Sequence, residues 1–316
     1  MLMTLRIWMI ACWMAGCMAT YAQKVSVTHY YGERQGVLTL TFDDGLLEHY
    51  TEVFPRLRQF GLKASFGIIG SKVGQDHKGV PCMGWQHLRE MAADGQEMTS
   101  HGWQHRSMES LTGEELRYEV QHNDSLIYQH TGIFPRTYFY PGNRKTNEGI
   151  AFASHDRVGT RMQQLSFGSK RDSLWVDHLL QRTLKSGEWT VTMTHGITVG
   201  YDAFTDAGLL WYMFEQAADR QDSLWVATLH DALSYQTERD STSLNIQLGE
   251  DIMTVTPVCT LDQRLFHHPL TMRVEGKVEE AYQQGKPLKL EHKGTHTLLN
   301  FDPHGGSIAI VLQQRP

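Results

Sequence analysis

The sequence predicts an α/β fold, a distorted (β/α) barrel, followed by a small all-β, sandwich-like C-terminal domain. Three observations carry this. From Val37 to about Tyr235, short apolar or β-branched runs alternate with segments of helical spacing. Those runs end in unusual polar residues, as they do when strand ends share one face of a barrel. After about Arg239 helical spacing fades, and short strands separated by Gly and Pro take over. The boundaries read as a leader over 1–22, the α/β unit over 23–240 and the β unit over 241–316.

In the leader, Arg6 is basic, Ile7 to Met18 are apolar over too short a span to cross a bilayer, and Thr20-Tyr21-Ala22 precedes Gln23 as a small-residue cleavage site. That is the pattern of a signal peptide and predicts export to a periplasm or the outside of the cell. The competing reading is lipid attachment at Cys17, after Met14-Ala15-Gly16, where Met at the first position fits poorly. No later stretch reads as a transmembrane span. Outside the leader only Cys82 and Cys259 remain, which excludes a disulfide framework and a cysteine-rich zinc site. They are far apart in sequence and read as one long-range disulfide or two free thiols. With 41% hydrophobic and 20% charged residues the chain forms a core, and a net charge of −6 with pI near 6.3 argues against a nucleic-acid partner.

The first barrel strand, Val37 to Phe42, runs into Asp43-Asp44-Gly45. Two adjacent carboxylates at the end of a buried strand repel one another and are costly to desolvate, so a bound cation is the simplest compensation. An N-cap aspartate with an acidic neighbour would read the same from this stretch alone. Leu46 to Phe60 reads as a helix in which Pro55 sits awkwardly. Ala64 to Ile69 is a strand, Trp85 to Ala93 a helix, and Gln96 to Ser100 a strand that leads into His101. Thr112-Gly113-Glu114-Glu115 has the form of a capping box. Thr137 to Tyr140 is a strand ending in Pro141-Gly142-Asn143, and Thr146 caps the next helix. Trp189 to Thr194 is a strand ending at His195, Leu209 to Ala218 a helix, and Ser223 to Leu229 a strand. In the tail, 254–256, 270–274, 297–301 and 307–311 read as strands. Its role could be glycan binding, dimerisation or capping of the barrel, and its sequence does not choose.

His101 and His105 are four apart. On a helical turn their side chains share one face, with Cβ atoms about 5–6 Å apart, close enough to share one ion. With 17 histidines in the chain the pair means little alone. Combined with Asp43-Asp44 at one strand end and His195 at another, it makes a converging set: two histidines and a carboxylate for a divalent ion, with a second carboxylate and a distant histidine free for acid–base work. His49, His87, His122 and His130 read as surface or satisfied core residues, and His267-His268 and His292 with His296 as surface. Trp103 reads as packing.

At this point Thr41-Phe42-Asp43-Asp44-Gly45, Ser100-His101 through His105, Pro141-Gly142 and Thr194-His195-Gly196-Ile197 resemble, in order, the motifs of the polysaccharide deacetylases (NodB homology domain, carbohydrate esterase family 4). The resemblance covers roughly 36–235 and implies a barrel of the NodB type. It implies that Asp44, His101 and His105 hold a divalent metal, Zn2+ or else Co2+ or Ni2+. By the same resemblance Asp43 is the base that deprotonates water, His195 the acid that protonates the leaving group, and the backbone at Pro141-Gly142 a donor to the oxyanion. The implied partner is an acetylated polysaccharide, either N-acetylglucosamine-containing or an acetylated plant-type glycan. Two departures stand out. Where the family often has arginine and tyrosine around the proline, this chain has Phe139 and Gly142, and the family's fourth motif is not recognisable. Arg136, Arg144 and Arg161 are candidates for the missing arginine, with Arg161 preferred because it sits where the next strand should end. The departures leave open a second reading, a catalytically impaired carbohydrate-binding protein on a deacetylase scaffold. A phosphoesterase would need more carboxylates to bridge two metals.

Overall fold

The strand Gly36–Phe42 is buried at every residue, and its two faces differ. Leu38, Leu40 and Phe42 pack with Val53, Leu57, Val176, Leu180 and Phe214, which come from surrounding helices. Thr39 and Thr41 are also buried but polar, accepting hydrogen bonds from Trp189 and Arg161 respectively. Alternation along the strand therefore separates an apolar layer under the helices from a polar barrel interior.

This arrangement is that of a computed structural model describing residues 25–249 and 252–313. The predicted leader, its cleavage site and Cys17 lie outside the described residues. In chain order, β1 is Val25–Val27, β2 Gly36–Phe42, β3 Ser65–Ile68, β4 Asp76–His77, β5 Val80–Pro81, β6 Glu97–Ser100, β7 Leu165–Ser166, β8 Trp189–Thr194 and β9 Leu224–Val226. Strands β6-β3-β2-β8-β7 form a parallel sheet, and β9 pairs with the start of β2. Irregular backbone closes the ring. Phe139 N–H donates to Ser100 O at 2.9 Å and Arg161 N–H to Tyr138 O at 2.9 Å, so 137–140 and the chain leading into β7 bridge β6 back to β8. The stretch Thr137 to Tyr140, expected as a strand, makes only a single parallel bridge from Tyr138 to Ser100.

The helix after β2 contains a π-turn, His49–Val53, directly before the α-helical Phe54–Phe60. Pro55 lacks an N–H and cannot sit inside a regular ladder, so the break in register just ahead of it accommodates the proline. Thr146 caps Asn147–Ser154 as expected, accepting from Gly149 N–H. The capping box at Thr112 does not form: its carbonyl takes Glu115 N–H, and its side chain makes no cap bond.

The C-terminal part is a pair of antiparallel sheets. Continuing the numbering, β10 is Thr242–Leu248, β11 Ile252–Cys259, β12 Leu270–Glu275, β13 Val278–Gln283, β14 Lys286–Pro287, β15 Leu290–Lys293, β16 His296–Phe301 and β17 Ile308–Leu312. One sheet runs β1-β12-β16-β15 and the other β10-β11-β17-β13-β14. The stretch 25–27, assigned from sequence to the α/β unit, thus hydrogen-bonds in the β unit, with Val25 opposite Val274 and Val27 opposite Met272. Its two valines pack against the sandwich core, which also takes in Tyr235. His268 and His296 are not simple surface residues. The His268 ring lies against Tyr31, Trp225 and Tyr235, and His296 Nε2 is 2.8 Å from Glu33 Oε2, both tying the sandwich to the barrel's entrance segment. Cys82 and Cys259 are free. Among the described residues no helix is long and apolar enough to cross a membrane.

Candidate active site and metal centre

Asp43 prolongs β2 by one bond, N–H to Thr194 O at 2.8 Å. At Asp44 the chain turns left-handed, φ +74°, followed by Gly45 at +67°. A non-glycine residue in that region is uncommon and tends to mark functional strain. The turn sends the two carboxylates to different partners.

Asp43 is gripped by Arg161. The guanidinium donates Nη1–H to Oδ1 and Nη2–H to Oδ2, both at 2.6 Å, and Nη1 also reaches Thr41 Oγ1 at 2.7 Å. Both side chains are buried, and Phe139 lies under the guanidinium at 3.9 Å. The aromatic ring that replaces the family's arginine is therefore the platform for another one. Arg136 and Arg144 are engaged elsewhere, with the Asp156 carbonyl and Glu109. Burial opposes charge on Asp43, but Arg161 overcomes it and holds the carboxyl below the usual carboxylate range.

Asp44 faces the histidines. Its Oδ1 is 3.5 Å from His101 Nε2 and 3.5 Å from His105 Nε2, with the two rings 4.7 Å apart. Burial again opposes the charge, but the adjacent His101, with His195 and His105, holds the carboxyl well below its ordinary range. His105 is pushed down to about 4, by burial first and His101 second, so its imidazole is neutral at physiological pH. His101 Nδ1–H donates to Phe139 O at 2.9 Å, which leaves Nε2 as a free lone pair aimed into the site. Asp44 Oδ1 and His101 Nε2 are buried without a hydrogen-bond partner. Orphaned buried acceptors are rare, and donor atoms on one ion at about 2.1 Å stand about 3.4 Å apart in a tetrahedral set. The three side chains fit a divalent cation.

The histidine pair is not on a helical turn, as its spacing suggested. The chain from His101 to Ser107 is irregular, with Gly102 at φ +80° and His105 at +60°. Glu119, buried in the following helical segment, shapes this loop. Its Oε1 accepts Gln104 N–H at 2.9 Å and Arg106 N–H at 3.0 Å, and its carbonyl accepts Trp103 N–H at 2.8 Å. A Cβ at Gly102 would stand 2.6 Å from that same Oε1. Trp103 packs edge-on to His122, 4.6 Å between centroids, rather than lining the centre.

His195 Nε2 is 3.9 Å from Asp43 Oδ2, across the site from the Asp44 cluster, and its Nδ1 is buried without a partner. The backbone behind it is held by two adjacent residues. His49 Nε2–H donates to His195 O at 2.7 Å. Glu48 Oε2 accepts N–H from Ile197 and Thr198 at 3.0 Å each and from Val199 at 3.3 Å. His49 is buried and lowered to about 4 by that burial, hence neutral. At Pro141-Gly142 a tight turn closes through Asn143 N–H to Tyr140 O and Arg144 N–H to Pro141 O, with Gly142 exposed at φ +59°. The Gly142 N–H takes part in neither closing bond.

Glu48 and Glu119 escaped sequence reading, whereas His49, read as a surface or satisfied core residue, is a core residue bonded to the His195 carbonyl. An acid in the first turn of a helix, or on a helix face, reads as a dipole partner or a solvated charge, and nothing local shows that it reaches a loop elsewhere.

Residues 31–156, which contain Asp44, His101 and His105, match the polysaccharide deacetylase family model. Over that stretch the chain is similar to the polysaccharide deacetylases. A putative polysaccharide deacetylase, YxkH of Bacillus subtilis (strain 168), is 28% identical over 127 residues, covering 39% of this chain and 42% of that protein. A gellan lyase of Bacillus sp is 21% identical over 88% of this chain and 13% of its own length. The chain thus spans less than half of each of these relatives. Among solved structures, peptidoglycan deacetylase PdaC from Bacillus subtilis superposes with TM-score 0.49 at 18% identity, over 66% of this chain and 94% of that one. The mixed α/β fold is followed by the all-β region described above.

Proposed function

We propose that this chain removes acetyl groups from an acetylated polysaccharide, using a divalent cation held by Asp44, His101 and His105. The observation that carries the proposal is convergence. Asp43, Asp44, His101, His105 and His195, from three strand ends, meet within 3.9 Å of at least one other member. A cation there supplies Lewis-acid polarisation of the acetyl carbonyl and makes water a stronger acid. Everything else falls to the chain. Asp43, ionised and locked by Arg161, takes the proton from the attacking water. His195, on the opposite side of the reacting carbon, delivers a proton to the departing nitrogen or oxygen. Gly142 N–H, free of the turn's own bonds, is in this reading the donor to the oxyanion.

Beside His195 lies a cavity of about 420 Å³ lined by Ser166, Lys170, Arg171, Tyr201 and Asp202. The Tyr201 ring is exposed and 5.0 Å from the His195 ring. An exposed aromatic face with hydroxyl, basic and acidic neighbours supports a sugar as occupant, with N-acetylglucosamine-containing and acetylated plant-type glycans both in scope. The leader pattern over 1–22 supports action outside the cytoplasm. Release of acetate from a panel of acetylated chitooligosaccharide, peptidoglycan, xylan and a generic acetyl ester, with added Zn2+ or Co2+, tests the reading. One observation favours a second reading, a glycan-binding protein that turns over poorly: His195 Nδ1 has no carboxylate partner to tune its proton donation. Glycan binding without acetate release would support that alternative.

A further inference from the structure

The geometry points to His77 as a fourth protein ligand to the cation at Asp44, His101 and His105. This rests on the metal-site reading above and adds a residue outside the three donors already assigned.

His77 ends β4 in a two-stranded hairpin, β4 paired with β5, whose turn is Lys78-Gly79. Both turn residues have positive φ, +52° and +81°, the tight hairpin geometry that keeps two strands in register. The hairpin is fastened to the chain just past Asp44. Met83 N–H donates to Gly45 O at 2.9 Å and Leu46 bridges Cys82. On its other side, a Cβ at Gly200 would touch Val80 at 3.4 Å, so the segment after His195 packs against the same hairpin. The hairpin is thus a built wall of the site.

The imidazole it presents is buried, only 9% of the side chain being exposed, and both ring nitrogens lack any hydrogen-bond partner. A neutral imidazole carries one donor and one acceptor, and burying both without partners is unusual enough to require a cause. The ring lies edge-on to His105, 5.4 Å between centroids, with Nε2 3.9 Å from Asp44 Oδ2. That distance is too long for a hydrogen bond. It does fall within the span left by two ligands on one ion, about 3.0 Å at a right angle and about 4.2 Å when opposed, for bonds of about 2.1 Å; because His77 stands just outside the compact group of the three other donors, its ring closes on the ion only when the ion binds. With His77, the ion would be held by three imidazoles and one carboxylate of this chain.

Zinc-edge X-ray absorption of the Zn2+-loaded full chain counts imidazoles directly. The expected count is three in the wild type and two in His77→Phe, with Zn2+ affinity, measured by chelator competition, falling by at least about tenfold in the variant. Two imidazoles in the wild type, or an unchanged affinity in His77→Phe, would overturn the assignment. If His77→Phe fails to fold, the wild-type count decides alone, and His77→Asn, which removes the ring while keeping polarity, repeats the affinity test. A wild type that takes up no Zn2+ would defeat the metal site itself, whereas an Asp44, His101 and His105 site that binds normally with two imidazoles defeats only His77.

Discussion

Replacing Arg161 with Met probes the pair at the centre of the site. The guanidinium makes two 2.6 Å bonds to Asp43 and one of 2.7 Å to Thr41, and both ionic partners are sequestered from water. Removing one member of a buried, bidentate pair leaves the other charged and unpaired, a change that destabilises proteins by about 3–5 kcal/mol. At roughly 2–4 °C per kcal/mol for a domain of this size, Tm should fall by about 10 °C. Met fills much of the same volume, so little of the loss would come from a cavity. The double variant Asp43→Asn/Arg161→Met separates charge from packing. If the loss is that of an orphaned carboxylate, the amide should recover at least about 2 kcal/mol relative to Arg161→Met, a coupling typical of residues in direct contact. Urea denaturation of the metal-free protein, wild type and three variants, measures the cycle. A loss below about 1 kcal/mol in Arg161→Met, or no recovery in the double variant, would refute the reasoning.

Three other perturbations follow from the same geometry. Glu119→Ala frees the Gln104 and Arg106 N–H groups and should loosen the His105 loop, weakening Zn2+ binding by about 10–100-fold in a chelator competition. Glu48→Ala releases the backbone of 197–199 behind His195. It should lower kcat for acetate release by about tenfold or more while leaving Zn2+ affinity unchanged. Glu238 is raised to about 7, chiefly by burial, with a further contribution from Asp302. Because its folded pKa lies above the unfolded value, the native state is favoured below the unfolded pKa and loses that advantage as pH climbs toward 7. Glu238→Gln should therefore raise Tm by a few degrees at pH 8 relative to wild type and change it little at pH 5, by differential scanning fluorimetry.

Much of the barrel is legible because its strands are short apolar runs with distinctive ends. β2, β8 and the helix Trp85–Ala93 coincide with their expected spans. The candidate site is legible for the same reason, since Asp43-Asp44, His101 and His195 terminate such runs. Arg161 was within reach because its place in the strand order puts it opposite Asp43. Conformation at the site was not legible. The spacing of His101 and His105 suits a helical turn, yet Gly102 and the distant Glu119 carboxylate impose a loop, and those contacts leave no periodic trace. The hairpin carrying His77 is invisible because two-residue strands are too short to alternate. The helix Ser173–Ser186 went unread, though Val176, Leu179, Leu180 and Thr183 make one buried face. The pairing of 25–27 with β12 joins residues almost 250 positions apart, and nothing local in three residues announces it.

The proposed reaction needs both a cation at Asp44, His101 and His105 and a base at Asp43. Acetate release by the Zn2+-loaded wild type and by Asp43→Asn, assayed side by side with Zn2+ content on the acetylated glycan panel, tests it most directly. The expected result is acetate release that chelator abolishes and Zn2+ restores. Asp43→Asn is expected to retain Zn2+ while losing activity by about 100-fold or more. No acetate from any substrate by a metal-loaded wild type, or an Asp43→Asn variant as active as wild type, would contradict it.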